Sequence, residues 1–243
     1  MTAPRYRLIS FDLDGTLVDT AGEIAEAANR TLAAVGLAPR STEQVALRIG
    51  AGTRALVLAL LRDAGGAAAT AHAEAALARF ALEYAATAGR ACCAYPGAVA
   101  ALDRLRAAGV RLACVTNKDA GYAERVLAAC GLAAKFDLLV GGDTLPVRKP
   151  DAGVLGHVVA ALGAAPATSA HVGDSRIDIA SARNAGVAAW AVPHGYNGGE
   201  PIASARPDRL FADLAAVAGF VVDGAASGVI SMADPRRAGR AAR

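Results

Sequence analysis

The chain has 243 residues, of which 54% are hydrophobic and 19% charged, so it can bury a core and is too apolar to be disordered. Its formal net charge is only +3, and much of that charge lies in arginines near the C-terminus. We therefore expect no nucleic-acid partner. No apolar run reaches the roughly 18 residues that indicate a membrane helix, so no membrane partner is expected either.

The cysteines point to a reducing environment. Cys92, Cys93, Cys114 and Cys130 form no C-x-x-C pair, and no histidine lies near them at a zinc-binding spacing. A strand signal begins within the first ten residues, which leaves no room for a signal peptide. We expect a cytoplasmic protein.

The first predicted element is a short buried strand, Leu8 to Phe11, which two carboxylates and a glycine follow directly. Asp12 and Asp14 are two positions apart, so on an extended backbone they point to the same side. Gly15 permits a sharp turn and close approach of a ligand to the backbone. Two carboxylates beside free backbone amides suit a hard cation together with a phosphate.

Residues 21 to 88 read as consecutive helices without a strand. The sequence from Thr20 to Glu23 fits a capping box, and Gly36 ends the helix that it opens. Further helices are predicted over the following segments: a short one from Ser41, one over 54–62, and a long one over 70–87. We predict that residues 21–89 form an inserted all-helical cap domain.

Strands and helices alternate after Pro96-Gly97. The predicted strands cover residues 110–115, 136–140, 169–172 and 187–192, with a further edge strand near 208–211. This alternation predicts an α/β fold: a doubly wound, mostly parallel sheet with helices on both faces. The catalytic core is expected to comprise residues 1–20 and 90–223. We expect residues 224–243, rich in glycine, alanine, serine and arginine, to be a disordered basic tail.

Polar residues follow three of the predicted strands at the point where each ends. Asp12 follows the first strand, the pair Thr116-Asn117 follows the strand over 110–115, and Asp174 follows the strand over 169–172. Ligands bind at the carboxyl ends of the strands in open parallel sheets. Residues far apart in the sequence are therefore expected to converge on one crevice.

Four segments, in this order along the chain, resemble the motifs of the haloacid dehalogenase superfamily. They are Asp12 to Asp19, Thr116-Asn117, Lys149-Pro150 and Gly173 to Asp178. The resemblance covers about residues 5 to 220 and implies a Rossmann-like core with a cap. An aspartate at position 14 resembles the phosphatases and mutases of the superfamily. The absence of any lysine from the cap segment favours a phosphatase over a mutase.

The resemblance implies three catalytic residues. Asp12 is expected to be the nucleophile that forms an aspartyl-phosphate, a known use of carboxylates. Asp14 is expected to act as general acid for the leaving oxygen and then as general base for water. Lys149 is expected to neutralise Asp12 and the phosphoryl group.

The same resemblance implies a magnesium site and a phosphate site. Asp12, Asp174 and the backbone carbonyl of Asp14 are expected to bind Mg²⁺, with Asp178 behind them orienting water or Lys149. Thr116 and Asn117 are expected to donate hydrogen bonds to phosphate oxygens.

Within the superfamily, the chain most resembles bacterial phosphoglycolate phosphatases. The resemblance lies in Gly141 to Pro150, Gly173 to Ile179 and His194 to Glu200. It implies hydrolysis of a small phosphate monoester, 2-phosphoglycolate, to glycolate and phosphate by a monomer or small homo-oligomer. We expect Arg54, near a helix N-terminus, to bind the substrate carboxylate.

Three alternatives remain open from the sequence. The chain could be a phosphatase for another small sugar phosphate, such as muramic-acid phosphate. It could instead bind or process nucleic-acid ends through its arginine-rich tail, although the tail carries few charges and no interleaved aromatic residues. It could also be an inactive binding module, which the intact Asp12, Asp14, Lys149 and Asp174 disfavour.

Overall fold

The computed structural model of the protein describes residues 4–224 and 227–230. Within them the strands, in chain order, are β1 (Leu8–Phe11), β2 (Val18–Asp19), β3 (Cys93–Ala94), β4 (Arg111–Val115), β5 (Leu138–Val140), β6 (Ser169–Gly173), β7 (Ala188–Ala191), β8 (Arg209–Phe211) and β9 (Val229–Ile230). The helices are α1 (Ala21–Ala34), α2 (Thr42–Ala46), α3 (Thr53–Ala69), α4 (Ala73–Thr87), α5 (Ala98–Ala107), α6 (Ala120–Ala129), α7 (Ala152–Ala161), α8 (Arg176–Asn184) and α9 (Leu214–Asp223).

The main sheet has the strand order β5-β4-β1-β6-β7-β8-β9, and every pairing in it is parallel except that of β8 with β9. The predicted doubly wound, mostly parallel α/β fold is confirmed. The chain winds outward from β1 in both directions, first through β4 to β5 and later through β6 to β8. The point where this direction reverses is where open sheets of this class bind ligands.

One strand differs from the sequence-based expectation. We expected an edge strand near 208–211, but β8 is covered on its outer side by β9. Residues 227–230, which we assigned to the tail, thus contain a strand. The rest of the predicted tail, residues 225–226 and 231–243, lies outside the described residues.

Two apolar layers cover the sheet. Helices α5, α6 and α9 pack on one face and helices α7 and α8 on the other. The side chains of β1 alternate between the layers, since Ile9 and Phe11 belong to the first and Leu8 to the second. A strand buried on both faces in this way reads as the near-continuous apolar run seen in the sequence.

Helices α1 to α4 lie within the predicted helical cap and have a separate apolar cluster that includes Leu32, Leu60 and Phe80. Gly66 has φ 69° and kinks α3. Strands β2 and β3 pair antiparallel, so the chain enters and leaves the cap along one two-stranded ribbon. The exact domain boundaries at residues 20/21 and 89/90 stay a prediction.

No helix in the described part of the chain is long and apolar enough to cross a membrane. All four cysteines are unpaired, and Cys92 Sγ lies 3.5 Å from Cys130 Sγ. A cytoplasmic location stays a prediction.

The strand register brings the polar strand ends together. Phe11 lies level with Cys114 on β4 and with Val172 on β6. Asp12 and Thr116 therefore emerge on the same edge of the sheet as Asp174.

Candidate active site

Asp12 and Lys149 form the centre of the site. The backbone N–H of Asp12 donates to Val172 O at 2.9 Å, which fixes the residue at the end of β1. Lys149 Nζ donates to Asp12 Oδ1 at 2.8 Å, to Asp178 Oδ1 at 2.7 Å and to Val115 O at 2.6 Å. An ammonium group has three donors, so all those of Lys149 are used. Among the described residues, none donates a hydrogen bond to Asp12 Oδ2, so this oxygen is left for a ligand.

Both carboxylate oxygens of Asp178 are hydrogen-bonded to neighbouring residues. Its Oδ2 accepts from Ser175 N at 3.1 Å and Ser175 Oγ at 2.6 Å, completing a capping box at the start of α8. Its Oδ1 is bound by Lys149 and lies 3.3 Å from His171 Nε2. The carboxylate therefore holds Lys149 in place, and its oxygens have little capacity left for another ligand.

Asp174 is held by two donors and surrounded by glycines. Thr16 Oγ1 donates to its Oδ1 at 2.8 Å, and Tyr196 N donates to its Oδ2 at 2.7 Å. A Cβ at Gly15 would lie 2.5 Å from Asp174 Oδ2, and one at Gly195 only 2.1 Å from it. Glycine is therefore required at both positions for the carboxylate to keep its place.

The donor set fits a hard divalent cation. Carboxylate oxygens of Asp12, Asp174 and Asp178 lie within 4.8 Å of one another, and all three residues are buried. Burial raises the pKa of Asp12 to about 7, with Asp178 and Asp14 adding to the effect and Lys149 opposing it. Burial, with the charges of Asp178 and Asp12, raises the pKa of Asp174 to about 8. One ammonium does not neutralise this cluster, so a cation with oxygen ligands would complete it.

The pair formed by Lys149 and Asp178 stays ionised. Burial alone would raise the pKa of Asp178, but Lys149 and His171 outweigh it and hold that pKa below its usual range. Burial likewise opposes the charge of Lys149, yet Asp12 and Asp178 raise its pKa above the usual range. The ammonium is therefore a permanent positive charge beside Asp12.

Asp14 is bound from the cap side. Its Oδ1 accepts from Thr20 Oγ1 at 2.6 Å and lies 2.8 Å from Lys118 Nζ. The predicted capping box at Thr20 and Glu23 is wrong, because Thr20 makes no side-chain hydrogen bond to α1. Its hydroxyl is used on Asp14. Glu23, fully buried, accepts instead from the Tyr84 hydroxyl at 2.9 Å.

Lys118 and Tyr84 are members of the site that we did not predict. The Lys118 side chain is only 4% exposed, and its ammonium contacts the Tyr84 hydroxyl and lies 4.7 Å from the centre of the Tyr84 ring. The sequence holds a weak signal for Lys118, a lysine directly after the Thr116-Asn117 pair. It holds none for Tyr84, which reads as one apolar position of a helix.

Thr116 and Asn117 lie at the end of β4 and differ in what they offer. Thr116 Oγ1 accepts from Lys118 N at 3.2 Å, and no described residue accepts a hydrogen bond from its hydroxyl, which leaves that hydrogen for a ligand. Asn117 Nδ2 instead donates to Gly50 O and Lys149 O, each at 3.0 Å. Both side-chain amide hydrogens thus join the cap loop to the Lys149 segment, and the expected hydrogen bond from Asn117 to phosphate stays a prediction.

An open pocket lies between the core and the helical cap. The core contributes polar groups to its wall: Asp12, Asp14, Thr116, Asn117 and Lys118. The cap contributes mainly apolar ones: Ile24, Ile49, Leu56 and Phe80, with Thr53 and Tyr84.

Arg54 does not line this pocket, although we expected it to bind substrate. Its guanidinium pairs with Glu74 at 2.9 Å, and its side chain is 59% exposed. Thr53, the first residue of α3, faces the pocket. The next position lies about 100° further round the helix, which turns Arg54 toward solvent.

Comparison with known proteins agrees with this geometry. Residues 6–186 match the family model of haloacid dehalogenase-like hydrolases. The chain belongs to this family. It is therefore an enzyme, a phosphatase for small phosphate monoesters of a kind that uses a divalent metal ion.

Individual relatives cover most of the chain. Phosphoglycolate phosphatase 1 of Pseudomonas aeruginosa is 39% identical over 86% of this chain and 77% of its own length. A phosphoglycolate phosphatase of Cupriavidus necator is 42% identical over 86% of this chain and 90% of its own. The crystal structure of a predicted phosphoglycolate phosphatase from Haemophilus somnus is 32% identical, with a TM-score of 0.84 over 89% of this chain and 98% of that one.

Proposed function

We propose that the protein is a Mg²⁺-dependent phosphoglycolate phosphatase that works through an aspartyl-phosphate on Asp12. The observation that carries the proposal is the state of Asp12 at the pocket. One of its oxygens is held by Lys149, while the other receives no hydrogen bond from the described residues. A nucleophile needs this combination of fixed orientation and a free lone pair.

Attack by Asp12 on phosphorus forms the acyl phosphate and releases the alcohol. The Lys149 ammonium offsets the negative charges of the carboxylate and the phosphoryl group, which otherwise repel each other. Thr116 has a free hydroxyl hydrogen at the end of β4 with which to bind a phosphoryl oxygen.

Asp14 carries the proton transfers in this proposal. In its protonated form it gives a proton to the leaving oxygen of the substrate, and the resulting carboxylate then takes a proton from the water that attacks the acyl phosphate. Thr20 and Lys118 hold one of its oxygens, so the other can face the reacting groups.

Asp12, Asp174 and the backbone carbonyl of Asp14 would hold the Mg²⁺. When bound, the ion supplies positive charge that offsets the phosphoryl oxygens and orients them. Asp178 contributes from behind by fixing Lys149. The choice of Mg²⁺ over other hard cations rests on the small number of protein oxygen ligands.

The substrate assignment is supported by the relatives and by the pocket. Two curated relatives at 39% and 42% identity are phosphoglycolate phosphatases. The apolar cap wall offers few polar partners to the hydroxyl groups of a sugar. A short substrate whose second anionic group can reach Lys118 fits this pocket better than a polyhydroxylated one.

A panel of phosphate monoesters, assayed with Mg²⁺ and after exhaustive EDTA treatment, tests the proposal. The panel should contain 2-phosphoglycolate, muramic-acid phosphate, other small sugar phosphates and p-nitrophenyl phosphate. We expect the highest kcat/KM for 2-phosphoglycolate and almost no turnover without metal. A higher kcat/KM for a sugar phosphate, or full activity in EDTA, contradicts the proposal.

A further inference from the structure

Lys118 is the one basic residue among the described residues that line the pocket. It differs from Lys149 in position, because it lies on the side that faces the cap. Resting on the proposed function, we propose that Lys118 binds the carboxylate of the substrate. It would thereby select phosphate esters of 2-hydroxy acids over phosphate esters that lack a carboxylate.

The ammonium of Lys118 has spare hydrogen-bonding capacity. Of its three donors, the Tyr84 hydroxyl takes one, and Asp14 Oδ1 lies 2.8 Å from the ammonium as an ion pair, so at least one donor is left by the described residues. Lys149, in contrast, has all three donors used within the core. A second anionic group in the pocket therefore finds an unused charged donor at Lys118.

Among the described residues, the remaining pocket wall offers no other full positive charge. Arg54 pairs with Glu74 at the surface, and most cap residues in the wall are apolar. A carboxylate enclosed by apolar side chains without a cation carries a large desolvation cost. Substrates with a carboxylate thus depend on Lys118 more than substrates that carry only the phosphoryl group.

The cap fixes the position of Lys118 through Tyr84. The Tyr84 hydroxyl accepts from Lys118 and donates to Glu23, which also accepts from Gly89 N at 2.8 Å. Burial raises the pKa of Tyr84, so its hydroxyl keeps the proton that it donates. This buried chain places the ammonium against the pocket wall, so little side-chain entropy remains to be lost on binding.

The proposal must be separated from a simpler role in which Lys118 serves only Asp14. A role through Asp14 alters the turnover of every substrate alike, whereas carboxylate binding alters the ratio between two substrates. The two substrates to compare are 2-phosphoglycolate and 2-hydroxyethyl phosphate. They have the same length, but the first ends in a carboxylate and the second in a hydroxymethyl group. The measured quantity is the ratio of their kcat/KM values. An effect through Asp14 changes both values by the same factor and therefore leaves this ratio unchanged.

We expect the wild type to prefer 2-phosphoglycolate and Lys118→Gln to lower that preference on the order of 10-fold or more, as for loss of a charge-assisted hydrogen bond. Lys118→Arg keeps the cation and should retain most of the preference. Lys135→Gln, which changes a lysine paired with Asp103 at the surface, is the control and should leave both kcat/KM values unchanged. If thermal melting shows that Lys118→Gln is less stable than the wild type, the same ratio is measured in Lys118→Met instead.

The outcomes separate the two levels of the proposal. An unchanged ratio in Lys118→Gln, with both substrates slowed equally, overturns carboxylate binding by Lys118. An equal loss of preference in Lys118→Arg and Lys118→Gln also overturns it. A wild type without preference for 2-phosphoglycolate instead refutes the substrate assignment itself, before any variant is considered.

Discussion

Two buried lysines divide the site into halves that are built differently. Lys149 contacts Asp12 and Asp178, and all three residues come from the core. Lys118 contacts Asp14 and the cap residue Tyr84. The first half is closed within the sheet and the helices packed on it, whereas the second exists only where the cap meets the core.

This difference separates chemistry from selectivity. The core half holds Asp12 and Lys149, which are proposed to act on the phosphoryl group that every phosphate monoester carries. Apart from Asp14, the half that faces the cap meets the rest of the substrate, which varies from one ester to another. Variants of the core half should therefore affect all substrates equally, and variants of Lys118 and Tyr84 should discriminate among them.

The largest expected effect follows from Asp12→Asn. The amide is a poor nucleophile, so we expect kcat to fall on the order of 10⁴-fold or more for every phosphate ester. The fold should survive, because removing one of several crowded buried carboxylates relieves repulsion. Steady-state assays and a thermal melt measure both effects. Asp103→Asn, a surface change beside Lys135, is the control, and retention of near wild-type turnover by Asp12→Asn contradicts the account.

Lys149→Gln should have the next largest effect, and on stability as well as on turnover. It leaves Asp12 and Asp178 buried without their shared cation, at a cost of about 3–5 kcal/mol in the free energy of unfolding. Chemical denaturation measures this loss. Arg104→Ala, which breaks an exposed pair with Asp223, should cost under about 1 kcal/mol. Equal losses of unfolding free energy in the two variants would show that the buried contacts of Lys149 stabilise the protein no more than the exposed Arg104–Asp223 pair.

Tyr84→Phe is aimed at the cap-facing half. It removes the hydroxyl that joins Lys118 to Glu23, so we expect a loss of about 1–3 kcal/mol in the free energy of unfolding. KM for 2-phosphoglycolate should rise more than KM for p-nitrophenyl phosphate. Tyr122→Phe, whose exposed hydroxyl donates to Ala81 O, is the matched control and should change neither KM. Identical changes in KM for both substrates would place Tyr84 outside selection.

The pH dependence of metal binding is a smaller, graded effect. The pKa values of Asp12 and Asp174 are raised to about 7 and about 8, so the folded metal-free protein holds protons that the unfolded chain has lost. Its stability should therefore fall as pH rises from about 4 to about 8, and added Mg²⁺ should remove most of that fall. Mg²⁺ affinity should rise with pH, by at most about tenfold per unit for each proton displaced. Calorimetric titration at several pH values measures this, and an affinity that falls with pH contradicts it.

The same division explains what the sequence could predict. Asp12, Thr116 and Asp174 follow apolar strands, and a parallel sheet brings such strand ends together whatever the loops do. The parallel sheet and the helical insertion could also be predicted, because apolar periodicity distinguishes strands from helices along the chain. The strand β9 was missed because two residues carry no periodicity.

The cap-facing half depends on tertiary contacts that local patterns do not encode. Thr20 and Glu23 have the spacing of a capping box, yet Asp14 and Tyr84 use their side chains instead. The equivalent pattern at Ser41 does form its box, because no buried partner competes there. Arg54 was chosen for its charge beside a helix start, although its position on α3 turns it toward Glu74.

The covalent role of Asp12 can be tested by trapping the intermediate. Wild-type protein with Mg²⁺ is mixed rapidly with 2-phosphoglycolate, quenched in acid, reduced with borohydride and digested for mass spectrometry. An acyl phosphate is reduced to the alcohol, so the account predicts homoserine at position 12 and an unmodified Asp14 in the same peptide. Rapid turnover without any modification at position 12, or modification at Asp14 instead, would contradict it.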